Sequence, residues 1–61
     1  MELCNIRKRK NLTMKEVGLQ AKISESTYCL IENGKRRPSV KVAKRIAAVL
    51  DFDWTKFFEK S

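Results

Sequence analysis

The hydrophobic positions of this chain recur at helical intervals and predict an all-α fold. The longest apolar stripe follows the i, i+3, i+4, i+7 spacing of one helix face and consists of Ala43, Ile46, Ala47 and Leu50. Ser39 stands at the start of this segment as a helix N-cap, directly after Pro38, which disfavours a helix before it. No segment shows the strict alternation of polar and apolar residues that indicates a β-strand.

Residues 13–34 are predicted to form two short helices joined by a tight turn. Thr13 and Glu16 have the spacing of a capping box, in which each side chain accepts a hydrogen bond from the backbone amide of the other residue. This pattern predicts the first of the two helices at about residues 14–21.

The second of these helices is predicted over residues 25–33. Ser24 is a residue type that caps helix N-termini, and Gly34 can adopt the left-handed conformation that ends a helix. The turn at residues 21–23 has about the length of the turn in a DNA-binding helix-turn-helix.

The two ends of the chain are each predicted to add one short helix. Leu3 and Ile6 lie on one face of a first helix over residues 2–10. Asp53 can cap a last helix, whose apolar face consists of Trp54, Phe57 and Phe58. These aromatic residues have two interpretations: they close the core, or part of this face forms a dimer interface together with Phe52, because so small a chain has little other core.

The charge of the chain indicates a polyanionic partner. There are 14 Lys and Arg residues against 7 Asp and Glu, which gives a formal net charge of +7 at pH 7 and a pI near 9.9. Nucleic acid and an anionic membrane surface are the two candidates. The clearly delimited helices favour nucleic acid over a cationic peptide that lies on a membrane.

The length and the apolar runs indicate one cytoplasmic domain, covering residues 1–61. No apolar run approaches the roughly 20 residues that span a bilayer, and the first residues lack the apolar core of a signal peptide. We therefore expect no membrane partner.

The residue types in the chain do not indicate catalysis. There is no His, and Cys4 and Cys29 are widely spaced, so neither a zinc site nor a disulfide framework is indicated. A phosphate-cradling glycine-rich loop is also absent from the sequence. We expect a protein that is not an enzyme, binds no metal or cofactor, and keeps two reduced thiols.

A set of short motifs is distributed along roughly the whole chain: Leu12-Thr13, Glu16, Ile23-Ser24, Ser26-Thr27, Ile31-Glu32-Asn33-Gly34-Lys35-Arg36 and Pro38-Ser39. In this order and spacing they resemble the phage repressor and Cro-type helix-turn-helix family, also called the xenobiotic-response-element family. The resemblance implies a lambda-repressor-like bundle of five short helices. Helices 2 and 3, predicted at about residues 14–21 and 25–33, would form the helix-turn-helix, and helix 3 would be the recognition helix.

The resemblance also implies roles for individual residues. The positions that read DNA bases would be Ser24, Glu25, Ser26, Thr27 and Leu30. The positions that contact DNA phosphates would be Thr13, Met14, Lys15, Lys35, Arg36, Arg37 and Ser39. Arg7 and Glu32 match an internal ion pair that joins helix 1 to helix 3.

The chain departs from the family pattern at several positions. Met14 stands where many members carry Gln, and helix 3 has no Arg or Gln for bidentate reading of a purine. Lys22 stands where a turn Gly is common, which predicts either a strained left-handed residue or a slightly different turn. Leu19 replaces an outward polar residue, and with Leu30 it is expected to form an exposed apolar patch.

Two functions follow from these observations. The first is a cytoplasmic bacterial or phage transcriptional repressor that binds double-stranded DNA as a homodimer, with its recognition helices about 34 Å apart. The alternative is a protein-interaction module on the same fold, an antirepressor or antitoxin-like protein, which the exposed leucines and the unusual reading positions favour.

Overall fold

The computed structural model describes residues 2–58 and confirms the all-α fold. The described part of the chain contains four α-helices and one 3₁₀ helix, in the order α1 (Leu3–Arg9), α2 (Met14–Ala21), α3 (Glu25–Glu32), α4 (Val40–Leu50) and a C-terminal 3₁₀ helix (Trp54–Phe58). No strand occurs among these residues.

The capping box at the start of α2 forms as predicted. The Thr13 hydroxyl accepts from the Glu16 amide at 3.1 Å, and the Glu16 carboxylate accepts from the Thr13 amide at 2.9 Å. Both amides would otherwise lack an acceptor, because the first turn of a helix has no preceding carbonyl groups. The start of α2 is therefore determined by local side-chain chemistry.

Serine residues cap the next two helices. The Ser24 hydroxyl accepts from the Thr27 amide at 3.0 Å, and the Ser39 hydroxyl accepts from the Val42 amide at 3.2 Å. Helix α3 ends at Glu32, one residue before its predicted end, and Gly34 follows with a left-handed φ of +75°. This Gly turns the chain into the basic loop, which consists of Lys35, Arg36, Arg37 and Pro38.

The turn between α2 and α3 brings the two helices into close contact. Lys22 adopts φ 62° and ψ 40°, the left-handed conformation predicted for it. A Cβ atom on Gly18 would lie 3.0 Å from the Ile23 carbonyl oxygen and 3.3 Å from the Glu25 amide nitrogen. Only a residue without a side chain lets the start of α3 pack this closely on α2.

The core lies where the inner faces of the helices meet. The predicted stripe of α4 is buried along its whole length, and Tyr28 and Ile31 are buried on the inner face of α3. Val17 and Ala21 of α2 and Leu3 of α1 complete the buried hydrophobic core of residues 2–58. The outer face of α3 is thereby left toward solvent.

The C-terminal segment differs from the prediction. It is a 3₁₀ helix, in which the Lys56 amide donates to the Asp53 carbonyl at 3.0 Å. Asp53 caps it as predicted, since its carboxylate accepts from both the amide and the hydroxyl of Thr55. The residues of this helix are at most partly buried, so the predicted core role of the segment is wrong for Trp54 and Phe58: these rings pack on each other, with centroids 6.0 Å apart. Phe57, with Phe52, packs against the core.

Within residues 2–58, none of the helices has the length and apolar character needed to cross a bilayer.

Candidate nucleic-acid interface

The predicted base-reading residues lie on a single turn-and-helix segment. Glu25, Ser26 and Leu30 are exposed on the outer face of α3, and Leu30 retains 39% of its accessible surface. Thr27 is half-buried, and Ser24 is the N-cap of the helix. The structure therefore presents this face to solvent, while the opposite face of the same helix is buried.

Ser24 and Thr27 form a hydroxyl pair at the start of α3. The Ser24 hydroxyl donates to Thr27 Oγ1 at 2.8 Å and also accepts from the Thr27 amide. The contact fixes the positions of both hydroxyl groups at the N-terminus of α3.

An apolar cavity opens on the outer face of α3. It has a volume of about 380 Å³ and is lined by Met14, Glu25, Ser26, Cys29 and Leu30. The Asn33 amide group donates to Cys29 Sγ at 3.3 Å. The structure thus places the Met14 side chain beside the base-reading residues, although the family pattern assigns this position to phosphate binding.

The N-terminus of α2 supplies backbone donors. The capping box uses the amides of Thr13 and Glu16, so the amides of Met14 and Lys15 are the ones in the first turn without an acceptor within the helix. An N-terminus with free amides and a positive dipole end favours an anion such as phosphate. Lys15 is exposed beside it.

The basic loop meets α3 at a second cavity. Its volume is about 330 Å³, and its lining includes Thr27, Arg36, Arg37 and Ser39. Lys35 is exposed in the same loop. The Arg37 guanidinium lies 5.9 Å from the centroid of the Phe58 ring, a cation–π contact that connects the loop to the C-terminal segment.

The predicted pair Arg7 and Glu32 forms a buried joint between α1 and α3. Arg7 donates from Nε to Glu32 Oε1 at 2.8 Å and from Nη2 to Oε2 at 3.3 Å, and from Nη1 to the Leu12 carbonyl at 2.8 Å. The Tyr28 hydroxyl donates to Glu32 Oε1 at 2.9 Å. The side chains of the ion pair are only 12% and 7% exposed.

The pKa values in this joint reflect its hydrogen bonds. Burial acts to raise the pKa of the Glu32 carboxyl, but the hydrogen bonds from Arg7 and Tyr28 outweigh it and hold this pKa below its ordinary value. Burial, followed by the hydrogen bond to Glu32, raises the pKa of the Tyr28 hydroxyl. The carboxylate and the phenol therefore stay ionised and neutral, respectively, at neutral pH.

A further cavity, of about 540 Å³, is lined by residues of α2, α4 and the α2–α3 turn, namely Gln20, Lys22, Arg45, Ala48 and Val49. Leu30 is exposed, as predicted for the apolar patch it was expected to form with Leu19, and the patch itself stays a prediction. Leu19 is 69% exposed.

The chemistry of the described residues adds no metal site. Within residues 2–58 no group of three or more His, Cys, Asp or Glu could hold a metal ion. Cys4 and Cys29 are both free thiols.

Sequence reasoning missed two features of this surface. The cavity beside Met14 joins residues of two helices, and the contact of Arg37 with Phe58 joins distant segments. Helical periodicity describes one helix at a time, so it held no signal for either. The absence of a polar side chain at Met14 was the only local indication of the cavity.

Comparison with known proteins identifies the family. The model of the helix-turn-helix family matches residues 5–57. An uncharacterised HTH-type transcriptional regulator of Bacillus subtilis (strain 168), YqaF, is 51% identical over 53 residues, which cover 87% of this chain and 70% of the relative. No solved structure matches the chain. The chain therefore belongs to the phage repressor and Cro-type helix-turn-helix family of transcriptional regulators.

Proposed function

We propose that this protein is a cytoplasmic transcriptional repressor that inserts α3 into the major groove of a specific operator as a homodimer. The observation that carries the proposal is the exposed outer face of α3, which has a candidate phosphate-binding group on each side. The net charge of +7 provides the attraction to DNA that such docking needs.

The two cavities connect the reading face to the phosphate-binding groups. The first joins Met14, at the N-terminus of α2, to Leu30 on α3. The second joins Arg36 to Thr27. A helix flanked in this way can be held in a groove by phosphate contacts while its outer side chains meet the base edges.

The buried joint supports the same function. Because Arg7 and Glu32 hold α3 against α1, the recognition helix has a fixed orientation relative to the rest of the protein. Rigid presentation of side chains lowers the entropy lost on binding.

The C-terminal aromatic residues are the proposed dimer interface. Phe52, Trp54, Phe57 and Phe58 are all only partly buried in the single chain. Lys44 lies 5.1 Å from the centroid of the Trp54 ring, so cations cover part of this aromatic surface. A twofold dimer formed here would read a twofold operator, with half-sites one helical turn apart.

The test is a binding isotherm on operator-like and random duplex DNA over a range of salt concentrations. If about six phosphates are contacted, the slope of log K against log salt is about −5. Arg36→Gln is expected to weaken binding to both duplexes and to make this slope shallower by about 2, because each protomer of the dimer loses one phosphate contact.

Arg45→Gln is the matched control, because it removes the same charge from the cavity between α2 and α4, which contains no residue of α3. Its affinity and salt slope should be close to those of the unchanged protein, with only the small decrease expected from one positive charge far from the DNA. Absence of binding to any duplex at low salt would contradict the proposal.

The exposure of Leu19 favours a second candidate, a protein-interaction module on the same fold. A partner protein that is retained at high salt, and is still retained by the double variant Arg36→Gln, Arg37→Gln, would support this function instead of DNA binding.

A further inference from the structure

The cavity on the outer face of α3 is lined mainly by apolar side chains. Its apolar residues, Met14, Cys29 and Leu30, are called the wall below, and its polar residues, Glu25 and Ser26, are called the rim. Met14 also packs against the core, and Cys29 accepts a hydrogen bond from Asn33, so two of the three wall residues are held by other parts of the protein. An apolar recess at this position is unexpected on a surface meant for polar base edges.

The chemistry of the major groove limits what can fill such a recess. Base edges there present hydrogen-bond donors and acceptors, and the thymine C5-methyl group is the apolar exception. Phosphate and sugar groups do not suit this cavity, because they are polar and lie outside the floor of the major groove. A cavity with a hydrocarbon and thioether wall on a groove-facing helix therefore matches a methyl group.

Glu25 at the rim adds a second requirement. A carboxylate is repelled by phosphate and can only accept hydrogen bonds, so its partner must be an exocyclic amino group, and cytosine N4 is its usual partner. Helix α3 carries no Arg or Gln that would select a purine. The Glu25 carboxylate and the apolar wall residues line the same cavity, so their partners would be neighbouring bases.

We propose that this cavity receives a thymine methyl group and that Glu25 accepts from the amino group of an adjacent cytosine, so that the half-site contains a thymine–cytosine step. This inference rests on the proposed function, because it assigns the bases read by the same helix. Met14, Cys29 and Leu30 are then residues that determine specificity, and the Met14 side chain acts on bases while its backbone amide stays available to a phosphate.

The experiment has two stages and uses the whole chain. Duplexes that bind are first selected from a random pool, and each thymine of the selected half-site is then replaced by deoxyuridine, which lacks only the methyl group. Removal of the methyl that enters the cavity should weaken binding about fourfold, the factor for one buried carbon group. Deoxyuridine elsewhere should leave the affinity unchanged.

Leu30→Ala should weaken binding to the thymine duplex and abolish the difference between thymine and deoxyuridine. Leu19→Ala is the matched control, since it truncates an exposed leucine that does not line this cavity, and it should keep the fourfold difference. Both side chains are exposed, so the variants should fold, which a thermal melt checks. Glu25→Gln should relax the preference for cytosine at the position next to that thymine.

The outcomes are distinguishable. A failure of the selection to retain any duplex overturns the proposed function and this inference with it. A selected duplex that tolerates deoxyuridine at every position overturns the inference alone. A methyl effect that persists undiminished in both Leu30→Ala and Met14→Ala also overturns it, because other residues would then contact the methyl.

Discussion

The two faces of α3 differ in what holds their side chains. On the inner face, Tyr28 is fully buried and hydrogen-bonded to Glu32, which is in turn bound by Arg7. On the outer face, Glu25 and Ser26 are exposed. Along one helix of eight residues, the side chains that orient the helix are thus separated from those available to a partner.

This separation has a functional consequence. Under the proposed function, we expect substitutions on the outer face to alter which DNA is bound without altering the fold, because these side chains make few contacts within the protein. Substitutions on the inner face should act on stability first and on DNA binding only through the orientation of α3. Three experiments test this division, in order of decreasing expected effect.

The largest effect is expected from Glu32→Ala. This change leaves the guanidinium of Arg7, 12% exposed, without its carboxylate, and it removes the acceptor of the Tyr28 hydroxyl. Loss of one member of a buried ion pair costs about 3 kcal/mol. Urea denaturation should show this decrease in the free energy of unfolding, and Glu32→Gln, which keeps an acceptor oxygen, should lose less. An Ala variant as stable as the unchanged protein would show that the joint does not stabilise the fold.

A smaller effect is expected from acid. The folded-state pKa of Glu32 lies below its ordinary value of 4.5, so the unfolded chain binds the proton more readily. The resulting stabilisation is present above the unfolded pKa and is lost as the pH falls through the folded pKa.

The measurement is the difference in unfolding free energy between the unchanged protein and Glu32→Gln across this range. It should be constant above about pH 6 and shrink in acid. Asp53 also has a lowered pKa, because the Thr55 amide and hydroxyl donate hydrogen bonds to its carboxylate. The control is the same measurement in the Asp53→Asn background, where the difference due to Glu32 should keep its pH dependence. A difference that does not depend on pH would contradict the role of the ionised carboxylate.

The elements and caps were predictable because they depend on nearby residues. The capping box of Thr13 with Glu16 needs only a spacing of three residues, and the stripe of α4 needs only helical periodicity. The structure also has the left-handed Lys22 that the family pattern indicated. Such features are encoded within one or two turns of chain.

The parts that were not predictable depend on residues brought together by the fold. The C-terminal segment has the aromatic pattern of a core helix, yet it forms a 3₁₀ helix in which Trp54 packs on Phe58 and both rings are only partly buried. The cavity at Met14 requires the crossing of α2 and α3. The reading and phosphate roles of individual residues stay predictions, since they describe contacts with a partner.

The smallest and sharpest comparison removes one hydroxyl from each face of α3. Tyr28→Phe deletes the donor to Glu32 on the inner face and should reduce the free energy of unfolding by about 1 kcal/mol, the net value of a typical hydrogen bond. Ser26→Ala deletes an exposed hydroxyl on the outer face and should change it by no more than about 0.5 kcal/mol. Affinity for a selected duplex should show the opposite order, because Ser26 lies on the face proposed to read the bases and Tyr28 is buried. Equal stability losses for the two variants, measured in the same urea titration, would mean that the outer face also supports the fold. DNA affinity and protein stability could then not be changed independently by substitutions on α3.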